Sequence, residues 1–220
     1  MLDGHIHLEQ GPYTLAWVQK FIEQAQRMGL DEIWLLEHSY RFREFTPLYR
    51  QVTAASRSVA QWFARKAGRR DLAEYQTFVE RMKRQVFSIR VRFGLEVCYF
   101  QQGEKQIGGL LQGSGLEFAG GSGHFADSFA FDQSPDDWQR RDVDQVYRRF
   151  FETTLDLIGS GLFQGLAHPD SVKIFGRRPS FSLDDFYSRT AQALAQAGMY
   201  AEQNSGVYRR SQGKGGLGME

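Results

Sequence analysis

The sequence predicts an α/β fold built on parallel strands, and three observations carry that reading. Short apolar stretches of β character alternate with stretches of helical periodicity almost from end to end. Ligand-type side chains stand where several of those strands run out into loops, which is the end at which barrel active sites are assembled. The chain has 220 residues, ordinary for one α/β domain with a single sizeable core. Alternation alone allows an open sheet or a closed barrel, with right-handed crossovers in either case; the polar strand ends favour the barrel.

Residues 2–7 alternate as a short strand, and Leu15, Val18, Phe21, Ile22, Ala25 and Met28 then recur at helical spacing up to Gly29. Residues 31–37 (DEIWLLE) form a second buried-strand candidate ending at His38. A polar excursion at about 45–86 follows, read as one or two long helices carrying Leu48, Val52, Trp62, Phe63, Leu72, Tyr75 and Phe78. Residues 87–96 alternate like a strand, 104–111 suggest a short helix, and 116–119 run into a glycine-rich turn, Gly120-Gly121-Ser122-Gly123, before His124. A helix over 143–158, a strand over 162–167 ending in His168, a helix over 183–197 with Ser182 as N-cap, and a strand over 199–203 complete the series. The last ten residues hold four glycines and no periodicity, so the chain is expected to be cut short at its C-terminus.

Composition removes several classes of function. Lys and Arg number 27 against 26 Asp and Glu, a net charge of +1, which leaves no electrostatic footprint for nucleic acid or an anionic membrane. The single cysteine, Cys98, cannot form an internal disulfide, no apolar run approaches the ~20 residues of a membrane span, and the opening MLDGHIH lacks a signal peptide's features. A cytoplasmic protein is expected.

The chemistry concentrates in the histidines. In His5-Ile6-His7, alternate strand residues face one way, so two imidazoles can share one metal, and Asp3 on that face could accept an imidazole N–H from behind. Alone, such a pair is weak evidence. The chain has only five histidines, however, and His38, His124 and His168 also stand at or just past strand ends, the last followed by Pro169, which enforces an abrupt exit. Glu96, ending VRFGLE, is the natural anionic partner, able to bridge two divalent ions; Glu37 faces the other way and is read as structural or supporting, and Cys98 as packing. Hydrolysis of a phosphate ester at clustered metals also needs cations to balance the phosphoryl charge, for which Lys173, Arg177, Arg209 and Arg210 are candidates.

With that pattern in view, the chain resembles the polymerase-and-histidinol-phosphatase (PHP) superfamily, in particular its histidinol-phosphatase branch. The resemblance rests on DGHIH at 3–7, EHS at 37–39, GLEVCYF at 94–100, GSGHF at 121–125, GLAHPDSVKIFG at 165–176 and AEQNSGVYRR at 201–210, and covers nearly the whole chain. It implies one metallohydrolase domain over 1–220 with the excursion inserted: a distorted barrel of seven βα units, incomplete at the C-terminus, around a cluster of up to three ions of Zn, Mn or Fe. It further implies His5, His7 and Glu96 on the first metal, Glu96, His124 and His168 on the second, His38 on the third, and an arginine near Arg209 on phosphate. Turnover would depend on Glu96, His38 and Arg209, the substrate being a small phosphate ester, L-histidinol phosphate.

Two departures qualify this. Where many members carry a further histidine after the first motif the chain reads LEQGPY, making Glu9 the nearest ligand for the third metal, and nothing after Gly206 supplies the closing Asp and His. The 220-residue form is therefore expected to bind metal incompletely and to turn over weakly or not at all. Two other readings use the same residues: a phosphodiesterase acting on oligonucleotides, which the near-zero charge disfavours, and a non-catalytic metal-binding module, against which the intact ligand set counts. Neither metal identity nor oligomeric state is encoded legibly.

Overall fold

The computed structural model describes residues 1–204. In chain order its elements begin with β1 (Leu2–His7), α1 (Leu15–Arg27), β2 (Glu32–His38), α2 (Arg50–Ala55), α3 (Arg57–Lys66), α4 (Leu72–Lys83) and β3 (Arg90–Cys98). They continue with α5 (Glu104–Gln112), β4 (Phe118–Ser122), β5 (Phe125–Ala126), β6 (Phe129–Ala130), α6 (Val143–Gly159), β7 (Gly165–Leu166), α7 (Asp184–Ala197) and β8 (Tyr200–Ala201). The sheet order is β1-β2-β3-β4-β7-β8, and every pairing in it is parallel. A doubly wound sheet reverses direction at a switch point. Here each new strand is added on the same side, and the sheet curls into a half-barrel, the α/β architecture the sequence predicts.

Strand alternation divides the two faces. On β2, Ile33 and Leu35 enter the main core, which fills the space between the sheet and helices α1 and α4 through Val18, Ile22, Tyr75 and Phe78. Trp34 and Leu36 point the opposite way, into a cleft inside the curl, and His38 shares their parity at the strand's end. Glu37 belongs to the helix-side set and is fully buried. Register then aligns the ends: His38 pairs with Glu96, and Glu96 with Gly120.

Several predicted elements differ in detail. Gly120, Gly121 and Ser122 lie inside β4 rather than in a turn. The bare Cα of Gly121 serves close packing, since a Cβ there would stand 2.8 Å from Leu157 and Phe163, and one at Gly165 on the neighbouring strand would stand 2.0 Å from the Tyr200 ring. The excursion is not one or two long helices. It comprises a 3₁₀ segment, Arg43–Tyr49, containing Pro47, then α2, α3 and α4, with Ser56 ending α2 and capping α3 through its hydroxyl. Ser182 sits one residue too early to cap α7; its Oγ accepts the Asp184 N–H at 3.2 Å while Leu183 holds the cap position. Strands β7 and β8 are shorter than predicted, and the hairpin β5–β6, too short to give a periodic signal, was not anticipated.

That hairpin and the excursion meet over the C-terminal ends of the strands, where Tyr49, Val52, Val59, Cys98, Phe125 and Ala130 form a small apolar cluster with Tyr40 and Trp62 against it. Among the described residues, no helix is long and apolar enough to cross a membrane.

Candidate metal centre

All five histidines of the chain converge on one carboxylate, Glu96. Glu96 Oε2 lies 3.1 Å from His5 Nε2, 3.2 Å from His7 Nε2 and 3.3 Å from His38 Nε2. Its other oxygen, Oε1, is 3.0 Å from Nε2 of both His124 and His168. Two groups of three ligand atoms result, His5–His7–Glu96 and Glu96–His124–His168, each with its atoms within 4.8 Å of one another. The six residues singled out in the sequence as metal ligands therefore come together.

Each half of the cluster is positioned differently. His5 and His7 follow from strand geometry modified by one irregularity. The β1–β2 register shifts between Asp3 and Ile6, and this bulge brings Leu2, Gly4 and His5 to line one cleft although strict alternation would separate them. The same shift accounts for Asp3: it does not support an imidazole, and its Oδ1 accepts the backbone N–H of His5 at 3.2 Å. His168 reaches Glu96 from a loop, with a backbone φ of 31° just before Pro169, a left-handed conformation uncommon for a side chain of this size. The carboxylate of Glu202, just beyond β8, holds that turn by accepting the His168 N–H at 3.0 Å.

Two acidic residues that the sequence reading did not name stand behind the imidazoles. Glu202 Oε2 accepts from His5 Nδ1 at 2.8 Å, and Asp132 Oδ2 from His124 Nδ1 at 2.7 Å. Glu202 obeys the same rule as the histidines, a ligand-type side chain at a strand's end, and could have been found that way. Asp132 follows a two-residue strand and carried no signal. Glu9, expected as a ligand for a third metal, lies with Oε2 at 2.8 Å from His38 Nδ1 and 3.7 Å from Arg41 Nη1. Glu9 and His38 thus form a pair rather than a third group of three among the described residues.

The electrostatics follow from burial and this crowding. Burial alone would lower the His5 imidazole, but Glu202 and Glu96 outweigh it and hold its pKa up at about 10. Burial opposes the same result at His124, where Asp132 and Glu96 prevail, again at about 10. His7 goes the other way, to about 4, through burial and the facing His38 ring, stacked at 3.7 Å. Glu96 is 3% exposed, and although burial would raise its carboxyl, the surrounding imidazoles, His38 foremost, keep it well below the usual carboxylate range.

This donor set suits divalent cations. His5 Nε2 and His7 Nε2 are 2.8 Å apart, both facing one Glu96 oxygen. A single proton can lie along that line, whereas a metal ion would engage both lone pairs. With Nδ1 of His5 and His124 donating to carboxylates, Nε2 is the free ligand nitrogen in each neutral ring. Imidazole and carboxylate donors accommodate Zn, Mn and Fe alike.

Of the four cations named for phosphate, Lys173 and Arg177 fall among the described residues. Lys173 is buried in a 3₁₀ turn, its Nζ 3.6 Å from Asp170 Oδ2 and 5.1 Å from the Tyr187 ring. Arg177 is exposed, and its carbonyl accepts the Tyr147 hydroxyl at 2.5 Å. Arg209 and Arg210 lie outside the described residues. Glu37 pairs with Arg41 Nε at 3.4 Å on the helix side of the sheet, and Cys98 is buried with its thiol pushed up by burial, consistent with roles in packing.

Residues 3–206 match the family model described as the PHP domain. The chain belongs to the PHP family. A Deinococcus radiodurans protein named "Probable histidinol-phosphatase" is 23% identical over 180 residues, which are 80% of this chain and 63% of that relative. This PHP chain thus spans under two thirds of the relative's length. Among solved structures, histidinol phosphate phosphatase from Lactococcus lactis, crystallised with zinc, L-histidinol and phosphate, has a TM-score of 0.64 at 17% identity, covering 96% of this chain and 76% of that one. A Listeria monocytogenes protein put forward as a histidinol phosphatase gives a TM-score of 0.65 at 18% identity, covering 90% and 78%. At these identities the likeness establishes the fold of this PHP protein.

Proposed function

We propose that this PHP chain is a metal-dependent phosphomonoesterase acting on L-histidinol phosphate, releasing L-histidinol and phosphate. The observation that carries the proposal is the sharing of Glu96 between two three-ligand groups. Family membership and relatives named for this activity support it. In this reading His5, His7 and Glu96 hold one divalent ion, Glu96, His124 and His168 a second, and His38 with Glu9 contributes toward a third. Bound ions supply an acidified water and Lewis-acid polarisation of phosphoryl oxygens.

The remaining work falls to the chain. Glu96 spreads one negative charge between two cationic centres, which lowers their mutual repulsion. Glu202 and Asp132 fix the tautomers of His5 and His124, so that ligand lone pairs are presented without reorganisation. The low pKa of His7 keeps that ring unprotonated near neutral pH. A net charge of +1 favours a small ester over a polyanionic strand.

The test is phosphate release from L-histidinol phosphate against cleavage of bis-p-nitrophenyl phosphate, after chelation and again after readdition of Zn or Mn. The proposal expects the monoester to be cleaved in preference, with activity lost on chelation and regained with metal. Preference for the diester would overturn it, and so would silence toward both with metal bound.

A further inference from the structure

Among the described residues, Glu96 lines two clefts. One, of about 400 Å³, is the inside of the curl, lined by Leu2, Trp34, Leu36 and Tyr200 with no Lys or Arg among its lining residues. The other, of about 300 Å³, opens over the ends of the strands. Glu96, His38 and His124 form its floor, and Tyr40, Trp62 and Lys66 belong to its wall. Of its lining residues, Lys66 is the single cation. The carboxylates beside it are already engaged, Glu9 on His38, Asp132 on His124 and Glu96 on all five imidazoles. Lys66 itself is exposed.

Trp62 and Lys66 are separated by four residues on α3, so they project from one face of that helix, the face turned to the cleft. Trp62 is held edge-on by Tyr40, ring centroids 4.8 Å apart, and Tyr40 in turn lies 5.0 Å from the His38 ring. An aromatic wall and an exposed ammonium thus stand side by side at the cleft over the imidazole cluster. A phosphomonoester dianion entering here finds its balancing charge in Lys66, and a flat unsaturated group on the ester finds a surface in Trp62.

We propose that the α3 face bearing Trp62 and Lys66 is the substrate clamp of this site, Lys66 binding phosphoryl oxygens and Trp62 packing against a planar group on the alcohol portion of the ester. This deepens the phosphomonoesterase reading and rests on it for the identity of the ligand. It assigns a recognition role to the excursion between β2 and β3, whose Lys66, unlike Lys173 and Arg177, lines the cleft.

The experiment is calorimetric titration of inorganic phosphate into metal-loaded wild type, Lys66→Gln and Lys66→Arg, with metal content measured on the same samples. Lys66→Gln is expected to weaken phosphate binding ~10-fold or more, the worth of a charge-assisted hydrogen bond, at unchanged metal content, and Lys66→Arg to restore most of it. In parallel, Trp62→Leu is expected to weaken competition by L-histidinol phosphate and to leave competition by glycerol phosphate unchanged. Wild-type phosphate affinity in Lys66→Gln would overturn the clamp, as would equal effects of Trp62→Leu on the two esters. If the wild type binds phosphate through Lys66 but hydrolyses neither ester, the clamp stands and the phosphatase reading fails.

Discussion

The two halves of the cluster share Glu96 but are built by different means. His5 and His7 come from consecutive inward positions on one strand, with their neighbour His38 fixed by the β2–β3 register. His124 and His168 come from loops, one after β4 and one at a left-handed residue before Pro169. Strand pairing places the first pair, with Glu202 accepting from His5 Nδ1; in the second, Asp132 accepts from His124 Nδ1 and Glu202 holds the turn by accepting the His168 N–H. A strand therefore sets where its ligands stand by spacing, whereas the loop that bears His168 is held by a carboxylate at its backbone.

The largest effect expected from breaking this arrangement is at the residue the halves share. Glu96→Gln should abolish bound metal in both groups, and loss of turnover should exceed the ~10- to ~100-fold typical of a residue one layer out. Next, His5→Asn and His168→Asn should each remove one ion, and metal analysis should find the other retained. If either substitution emptied both groups equally, the two halves would not be separable units.

Smaller effects separate the supports. Glu202→Gln should weaken metal affinity ~10- to ~100-fold and more than Asp132→Asn does, because Glu202 touches both halves, through His5 Nδ1 and the His168 N–H, and Asp132 only one. Metal titration with a competing chelator would rank them, and the reverse order would contradict the difference drawn here.

The smallest effect is on stability. In the metal-free protein, folding raises His5 and His124 from 6.5 to about 10, so their contribution is complete below pH ~6.5 and is lost as pH rises through about 10. His7, lowered to about 4, contributes in the opposite sense, above pH ~6.5, with loss as pH falls through about 4. Thermal melts of the metal-free chain should therefore decline by several degrees between pH 7 and 10. Metal-loaded protein should not follow, because its ligated rings carry no titrating proton at Nε2.

Much of the strand-built half was legible in the sequence. The HxH spacing, the apolar run ending at His38 and the alternation ending at Glu96 each report a backbone period, and backbone periods survive into the structure. Less of the loop-built half could be read. A glycine-rich stretch resembles a turn until the packing of Leu157 and Phe163 against Gly121 shows it to be a strand, and nothing local marks Asp132 as a partner of His124. The bulge in β1 was also invisible, and it turned Asp3 from an imagined imidazole support into an acceptor for the His5 amide. A lysine's charge is positioned by tertiary contacts, which no local pattern reports: Lys173 has Asp170 beside it, and Lys66, in an excursion read only as polar helix, lines the cleft.

The most direct test of a Glu96-centred pair of metal sites is the number of divalent ions held per chain after chelation, reloading with Zn or Mn and exhaustive dialysis. The wild type should hold at least two, matching the two ligand groups, and Glu96→Gln fewer than one. A wild type that holds fewer than one, or a Glu96→Gln variant that holds as many as the wild type, would contradict the account.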